Sequence, residues 1–89
     1  MADYYLQIVS PERVEYEGTV ESLIAPGEEG YFGVLANHAP MLSTLGEGAL
    51  IVRPTGARES RHQISGGFLE VHRNKVVVLV RHIETPATV

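Results

Sequence analysis

Apolar residues in this chain fall into short alternating runs, broken every few positions by glycine or proline. In Tyr4-Tyr5-Leu6-Gln7-Ile8-Val9, Leu6 and Ile8 share one face and Tyr5, Gln7 and Val9 the other. That two-residue period predicts a strand, ended by Ser10-Pro11. Arg13-Val14-Glu15-Tyr16 alternates again, Glu17-Gly18 reads as a turn, and Thr19 to Ala25 reads as the next strand. There Val20 and Ile24 are expected on one face with Leu23 opposite. Pro26-Gly27 has the chemistry of a type II turn, since proline fixes φ and glycine accepts the positive φ that follows. Glu28 and Glu29 give that turn an acidic, solvated tip. Gly30 and Gly33 bracket Tyr31-Phe32, Val34-Leu35 reads as buried, Asn37-His38-Ala39-Pro40 breaks the run, and Met41, Leu42 and Leu45 resume it.

In the second half, Gly46-Glu47-Gly48 punctuates before the strand Ala49 to Arg53, which Pro54-Thr55-Gly56 closes. Ala57 to Ile64 is the most polar strand candidate and predicts an edge strand or one with a solvated face. Ser65-Gly66-Gly67 reads as a turn or bulge. Phe68 to His72, the turn Arg73-Asn74-Lys75 and Val76 to Arg81 make the clearest hairpin, with Phe68 expected in the core. Val76 to Val80 is apolar on both faces and is expected between two layers. No window sustains an apolar 3.6-residue period, so the chain predicts an all-β fold with negligible helix, an antiparallel sandwich or a barrel. Residues 1–83 are read as one domain and 84–89 as a polar tail expected to fray.

Composition narrows the function classes. Eighty-nine residues make a single domain that buries roughly two-thirds of its unfolded surface. There is no cysteine, which excludes disulfides and thiolate metal sites. No apolar run approaches the ~20 residues of a helical membrane span, and the N-terminus does not start as a signal peptide. The chain is therefore expected to be soluble and intracellular. The net charge is −4, and the seven Lys and Arg are scattered. A nucleic-acid surface or a polybasic lipid anchor needs a concentrated basic face. Neither is expected, and any membrane association should run through a protein partner.

Candidate chemistry is sparse. His62, His72 and His82 lie on different strand candidates without the close spacing of a local chelate, so no metal is expected. His38 has the setting of a turn histidine bonded to local backbone. Gly46-x-Gly48 is followed by a strand, whereas dinucleotide phosphates need a helix N-terminus. Adjacent Glu28 and Glu29 are too solvated for an acid–base pair. No catalytic residue and no cofactor is expected. One alternative from another class remains: a lipoyl- or biotin-type carrier domain, a small β-sandwich modified on a hairpin lysine. Lys75, the only lysine, lies in the Arg73-Asn74-Lys75 turn.

Several motifs in register carry a family resemblance. Pro26-Gly27-x-x-Gly30-x-Phe32-Gly33-Val34-Leu35, then His38-Ala39-Pro40-x-Leu42, resembles the ε subunit of rotary F-type ATP synthases. Ser65-Gly66-Gly67-Phe68-x-Glu70-Val71 and the opening Val9-Ser10-Pro11, Tyr16-x-Gly18 and Val20 fit the same pattern. Ala36-Asn37 departs from the proline and small residue common before His-Ala-Pro. The resemblance implies a flattened sandwich of two antiparallel sheets of about five strands each, without catalytic residues of its own. It implies a central-stalk rotor subunit that links γ to the c-ring and couples proton flow to ATP synthesis. Its expected place is the cytoplasmic face of the bacterial plasma membrane, or the stromal side in a plastid, held peripherally by the complex with no direct lipid insertion. The resemblance assigns Glu28, Glu29, Gly30 and Tyr31 to the c-ring contact, and His38, Ala39, Pro40, Met41 and Leu42 to the γ subunit. The family's C-terminal helical pair, with its inhibitory action and ATP-binding motif, has no counterpart in these residues and is not carried over.

Overall fold

The computed structural model describes residues 2–85, which form six strands and, among the described residues, no helix. They are β1 (Tyr4–Val9), β2 (Val14–Gly27), β3 (Gly30–Leu35), β4 (Met41–Pro54), β5 (Ser60–His72) and β6 (Lys75–Glu84). The sheet order is β1-β6-β5-β4-β2-β3, and a further β1–β2 pairing closes it on itself. Closure satisfies backbone groups that an open sheet would leave as edges. The fold is all-β, as the periodicity predicts. Of the expected tail 84–89, Glu84 is the last residue of β6, Thr85 follows it outside any strand, and 86–89 lie outside the described residues.

The strands are fewer and longer than the turn signals imply. Glu17-Gly18 and Pro26-Gly27 lie inside β2, Gly46-Glu47-Gly48 inside β4 and Ser65-Gly66-Gly67 inside β5. Glycine in a strand marks a bend or a close approach as readily as a turn. The β2–β3 hairpin turn is Glu28-Glu29, closed by the Gly27–Gly30 pair. The last is Arg73-Asn74, closed by His72–Lys75, with φ of 51° and 60° at its two residues. Two positive φ values in a two-residue loop follow the right-handed twist of the flanking strands.

β2 changes partners at Val20, which pairs with Tyr4 of β1 and with Pro54 of β4. β6 runs antiparallel to β5 but parallel to β1, an exception to the expected antiparallel order. These two strands come from opposite ends of the chain, so no hairpin dictates their direction. β5 pairs on both sides and is not an edge; its charged residues occupy a solvated face instead.

The inward face switches within each long strand. In β5, His62 and Ile64 point inward and so do Leu69 and Val71, an even-to-odd change across Gly66-Gly67. β4 switches between Leu45 and Leu50. β6 keeps Val76, Val78 and Val80 inside, and then Ile83 packs against the core. The β4–β5 and β5–β6 registers run without a slip through this region, because all three strands switch side by side. Gly66 takes φ 77° there, and a Cβ on Gly67 would stand 2.0 Å from the Leu79 carbonyl oxygen. No L side chain fits that approach.

The structure overturns four face assignments. Phe68 falls just after the change and is half exposed, while its neighbour Leu69 is fully buried. Leu79 is also half exposed, so the β6 valine run has one buried face rather than two. In β2 a register irregularity between Val20 and Ser22 puts Val20 and Leu23 inside and Ile24 outside. In β3 Val34 is buried, but Leu35 alternates outward and is exposed.

The core gathers Leu6 and Ile8 of β1, Leu23 of β2, Leu50 of β4, Leu69 of β5 and Val78 of β6, all at 0% exposure. His62 is buried among them. Its Nε2 hydrogen-bonds the Ser60 hydroxyl and its Nδ1 the Thr85 hydroxyl, each at 3.1 Å, and its ring tilts against Tyr16. Burial lowers its pKa from the ordinary histidine value, and the nearby Glu15 carboxylate opposes that effect.

Two predictions follow from this core. Leu69→Ala should cost about 2–5 kcal/mol, while Phe68→Ala should cost at most about 1 kcal/mol, read from urea melts. Equal losses would contradict the face switch. The second concerns pH. The unfolded chain protonates His62 near pH ~6.5 but the folded chain only at lower pH, so its contribution is complete above that value. Stability should fall as pH drops below it, by at most about 1.4 kcal/mol per pH unit for one proton. His62→Gln should flatten the slope of the urea midpoint between pH 7 and 5; an unchanged slope would remove His62 as its source.

Candidate interaction surface

The β2–β3 hairpin carries the acidic tip. Its strands alternate toward the core through Leu23, Ala25 and Val34, which leaves the turn residues Glu28 and Glu29 in solvent. Beyond the β2–β4 ladder, two hydrogen bonds tie the hairpin to β4. The Glu28 backbone N–H donates to the Thr44 carbonyl at 3.3 Å, and the Ala49 N–H donates to the Tyr31 hydroxyl at 2.9 Å. The Tyr31 side chain still leaves the residue 58% exposed.

The second predicted set lies on the β3–β4 connection and the start of β4. The His38 Nδ1–H donates to the Ala39 carbonyl at 2.8 Å, the local backbone bond expected of a turn histidine. Ala39 and Pro40 are exposed, and Met41 packs against the core. Leu42 alternates outward and is 72% exposed. Asn74 steadies this connection from the far hairpin. Its Oδ1 accepts the Asn37 N–H at 2.7 Å while its Nδ2 donates to the Asp3 carbonyl at 2.9 Å.

The fold brings the first set and Leu42 of the second to one shallow groove. Glu28, Glu29, Gly30 and Tyr31 form one wall, and Leu42 with Thr44 forms the other. His38, Ala39, Pro40 and Met41 do not line it. A second depression continues past Glu28 and Thr44 to Phe68, Leu79 and Arg81. Phe68 pairs across the sheet with Thr44 on one side and Leu79 on the other. Phe68, Leu79 and Leu42 therefore share an outward sheet face, and sequence reading places the first two elsewhere. One available signal is the Arg73-Asn74 turn, whose register pairs Phe68 with Leu79 and puts them on the same face. Which face that is depends on the switch at Gly66-Gly67. Contiguous exposed apolar side chains beside a charged rim are suited to protein contact.

The other candidate groups are dispersed. His72 ends β5 and His82 lies on β6, both exposed, whereas His62 is buried. Among the described residues no three His, Asp or Glu side chains assemble as a metal site. Lys75 is the first residue of β6 rather than a turn residue, and its ammonium lies 5.7 Å from the centre of the Tyr5 ring. That cation–π contact gives the lysine a structural role. At the end opposite the tip, Arg53 and Arg61 flank Glu59 at 3.6 and 3.7 Å, exposed pairs of small energetic weight.

Comparison with known proteins places the chain. The family profile described as the ATP synthase, Delta/Epsilon chain, beta-sandwich domain matches residues 3–86. The ATP synthase epsilon chain of Leptospira borgpetersenii is 46% identical over 77 residues, covering 86% of this chain and 60% of that relative. The ATP synthase epsilon chain of Caulobacter vibrioides is 44% identical over 82 residues, covering 92% of this chain and 94% of that relative. Among solved structures, a chain of the Euglena gracilis mitochondrial ATP synthase, determined as OSCP/F1/c-ring, superposes with a TM-score of 0.88 at 25% identity. It covers 96% of this chain and 54% of that one. The carrier-domain alternative is thereby set aside: this chain belongs to the family of the ATP synthase delta/epsilon chain β-sandwich domain.

Proposed function

We propose that the chain is a non-catalytic rotor element of a proton-translocating F-type ATP synthase, joining the γ subunit to the c-ring. In this reading it turns with both and transmits torque between proton flow and ATP synthesis. It is held peripherally at the cytoplasmic face of a bacterial plasma membrane through the complex. The observation that carries the reading is the meeting of the acidic Glu28-Glu29 tip with the outward apolar residues Leu42, Phe68 and Leu79 along connected depressions. A rotor element needs contacts of two kinds. The tip, with Gly30 and Tyr31, offers charge and accessible backbone to the polar loops of the c-ring. The sheet face offers apolar area to γ, extending the His38-Ala39-Pro40-Met41-Leu42 assignment to Phe68 and Leu79.

Long strands also permit the sandwich to be counted by segment. Val14 to Val20 of β2 pairs with β1, and the remainder with β4 and β3. We read the closed sheet as two flattened layers in which β2, β4, β5 and β6 each contribute one segment per layer. β1 completes one layer and β3 the other. A rigid body of this kind suits a part that must carry torque without deforming.

Copurification with γ in a pull-down is the first test, and capture of γ is the expected result. The double change Glu28→Gln and Glu29→Gln should shift stability by no more than ~0.5 kcal/mol, since both side chains are solvated. It should weaken association with a γ–c-ring assembly about fivefold at low salt, with the difference closing as salt rises. A large stability loss with unchanged association would make the tip a structural cap.

A further inference from the structure

The β2–β4 ladder is interrupted beneath the hairpin tip. Ile24 pairs with Ile51 and Gly27 with Leu45, so β4 spends more residues than β2 between the two pairs. Backbone N–H groups of β4 in that interval cannot all find carbonyls on β2. The Tyr31 hydroxyl accepts one of them, the Ala49 N–H, at 2.9 Å. Space for the hydroxyl exists because residue 48 is glycine. A Cβ there would stand 2.4 Å from the Tyr31 hydroxyl and 2.9 Å from Cβ of Pro26. Tyr31 therefore crosses from β3 over β2 onto β4 and is seated in a gap that its length fits.

We propose that Tyr31 is a positioning residue: a clasp whose hydroxyl on Ala49, over Gly48, fixes the angle of the acidic tip before a partner arrives. This deepens the rotor reading and rests on it. Among the described residues β3 pairs only with β2, and no further strand braces its outer side. Beside the Gly27–Leu45 pair, the backbone tie of the turn itself, Glu28 N–H to Thr44 at 3.3 Å, is long. Without the clasp the tip would sample several orientations, and association would carry the entropy of ordering it. The groove between Tyr31 and Leu42 would lose its fixed width along with the tip. The residue is thus visible on the surface while its polar atom is engaged inward.

The test uses the full chain, Tyr31→Phe, Gly48→Ala and the double variant. Tyr31→Phe keeps the ring and removes only the hydroxyl. Exchange of the Ala49 amide, followed by NMR in the free protein, should speed up about tenfold, the effect of one net hydrogen bond. Affinity for a reconstituted γ–c-ring assembly should drop about threefold to tenfold by the same measure. Gly48→Ala should act in the same direction by displacing the hydroxyl, and the double variant should fall well short of the product of the two effects. A tyrosine that touched the partner directly would lower affinity on Tyr31→Phe while leaving Ala49 exchange unchanged, and that result would overturn the clasp. So would faster Ala49 exchange with full affinity. If the unsubstituted chain binds no assembly while Ala49 responds as described, the rotor reading fails and takes the clasp's functional role with it.

Discussion

Three neighbouring strands turn over their inward faces along one line across the sheet, and the rest of the molecule depends on their doing so together. The line passes between the rows Leu45–Gly67–Val80 and Gly48–Ile64–Ile83. A single strand that switched alone would slip its register by one residue and drive its apolar set into solvent. Switching side by side leaves both ladders intact and keeps apolar residues inside on either side of the line. The requirement falls hardest on Gly67, where the Leu79 carbonyl oxygen occupies the space any Cβ would need. Gly46, Gly48, Gly66 and Gly67 are thus parts of the sheet's curvature rather than ends of strands, whereas Gly56 does turn the chain out of β4.

The same line shapes the surface. Placing Leu69 and Val78 inside turns Phe68 and Leu79 outward, next to Thr44 and one row from Leu42. An apolar patch in water is a cost to the isolated chain unless something covers it. Beside it the β2–β3 hairpin projects two carboxylates on a turn that the core does not need. The buried core and the exposed apolar patch in this way lie on opposite faces of the same strands. A change on one face can be read without large effects on the other.

Fold class was legible because period-two alternation needs no knowledge of partners: Leu6 and Ile8, and the Arg73-Asn74 hairpin, stand where the pattern puts them. Strand ends were less legible, since Glu17-Gly18 and Gly46-Glu47-Gly48 have the chemistry of turns while tertiary pairing carries β2 and β4 straight through them. Faces beyond a switch were not legible at all. Val76 to Val80 has no polar residue to mark its outside, and Phe68 reads as core until the φ of Gly66 is known. For the candidate surface, Glu28 and Glu29 announce themselves by charge on a turn. Leu42 emerged only through the family resemblance, and Phe68 and Leu79 only through the fold. The role of Tyr31 depends on a gap in the β2–β4 ladder, a property of two strands that no local pattern encodes.

In the proposed rotor role, one end of this sandwich, the acidic tip with its adjoining apolar face, meets γ and the c-ring. This contact is tested most directly by mapping amide and methyl NMR signals of the chain as a γ–c-ring assembly is added. Changes are expected at Glu28, Glu29, Gly30 and Tyr31 together with Leu42, Phe68 and Leu79. The ion-paired end around Arg53, Glu59 and Arg61 should remain as it is in the free chain. Changes confined to Arg53, Glu59 and Arg61, with the tip and the apolar face undisturbed, would contradict it.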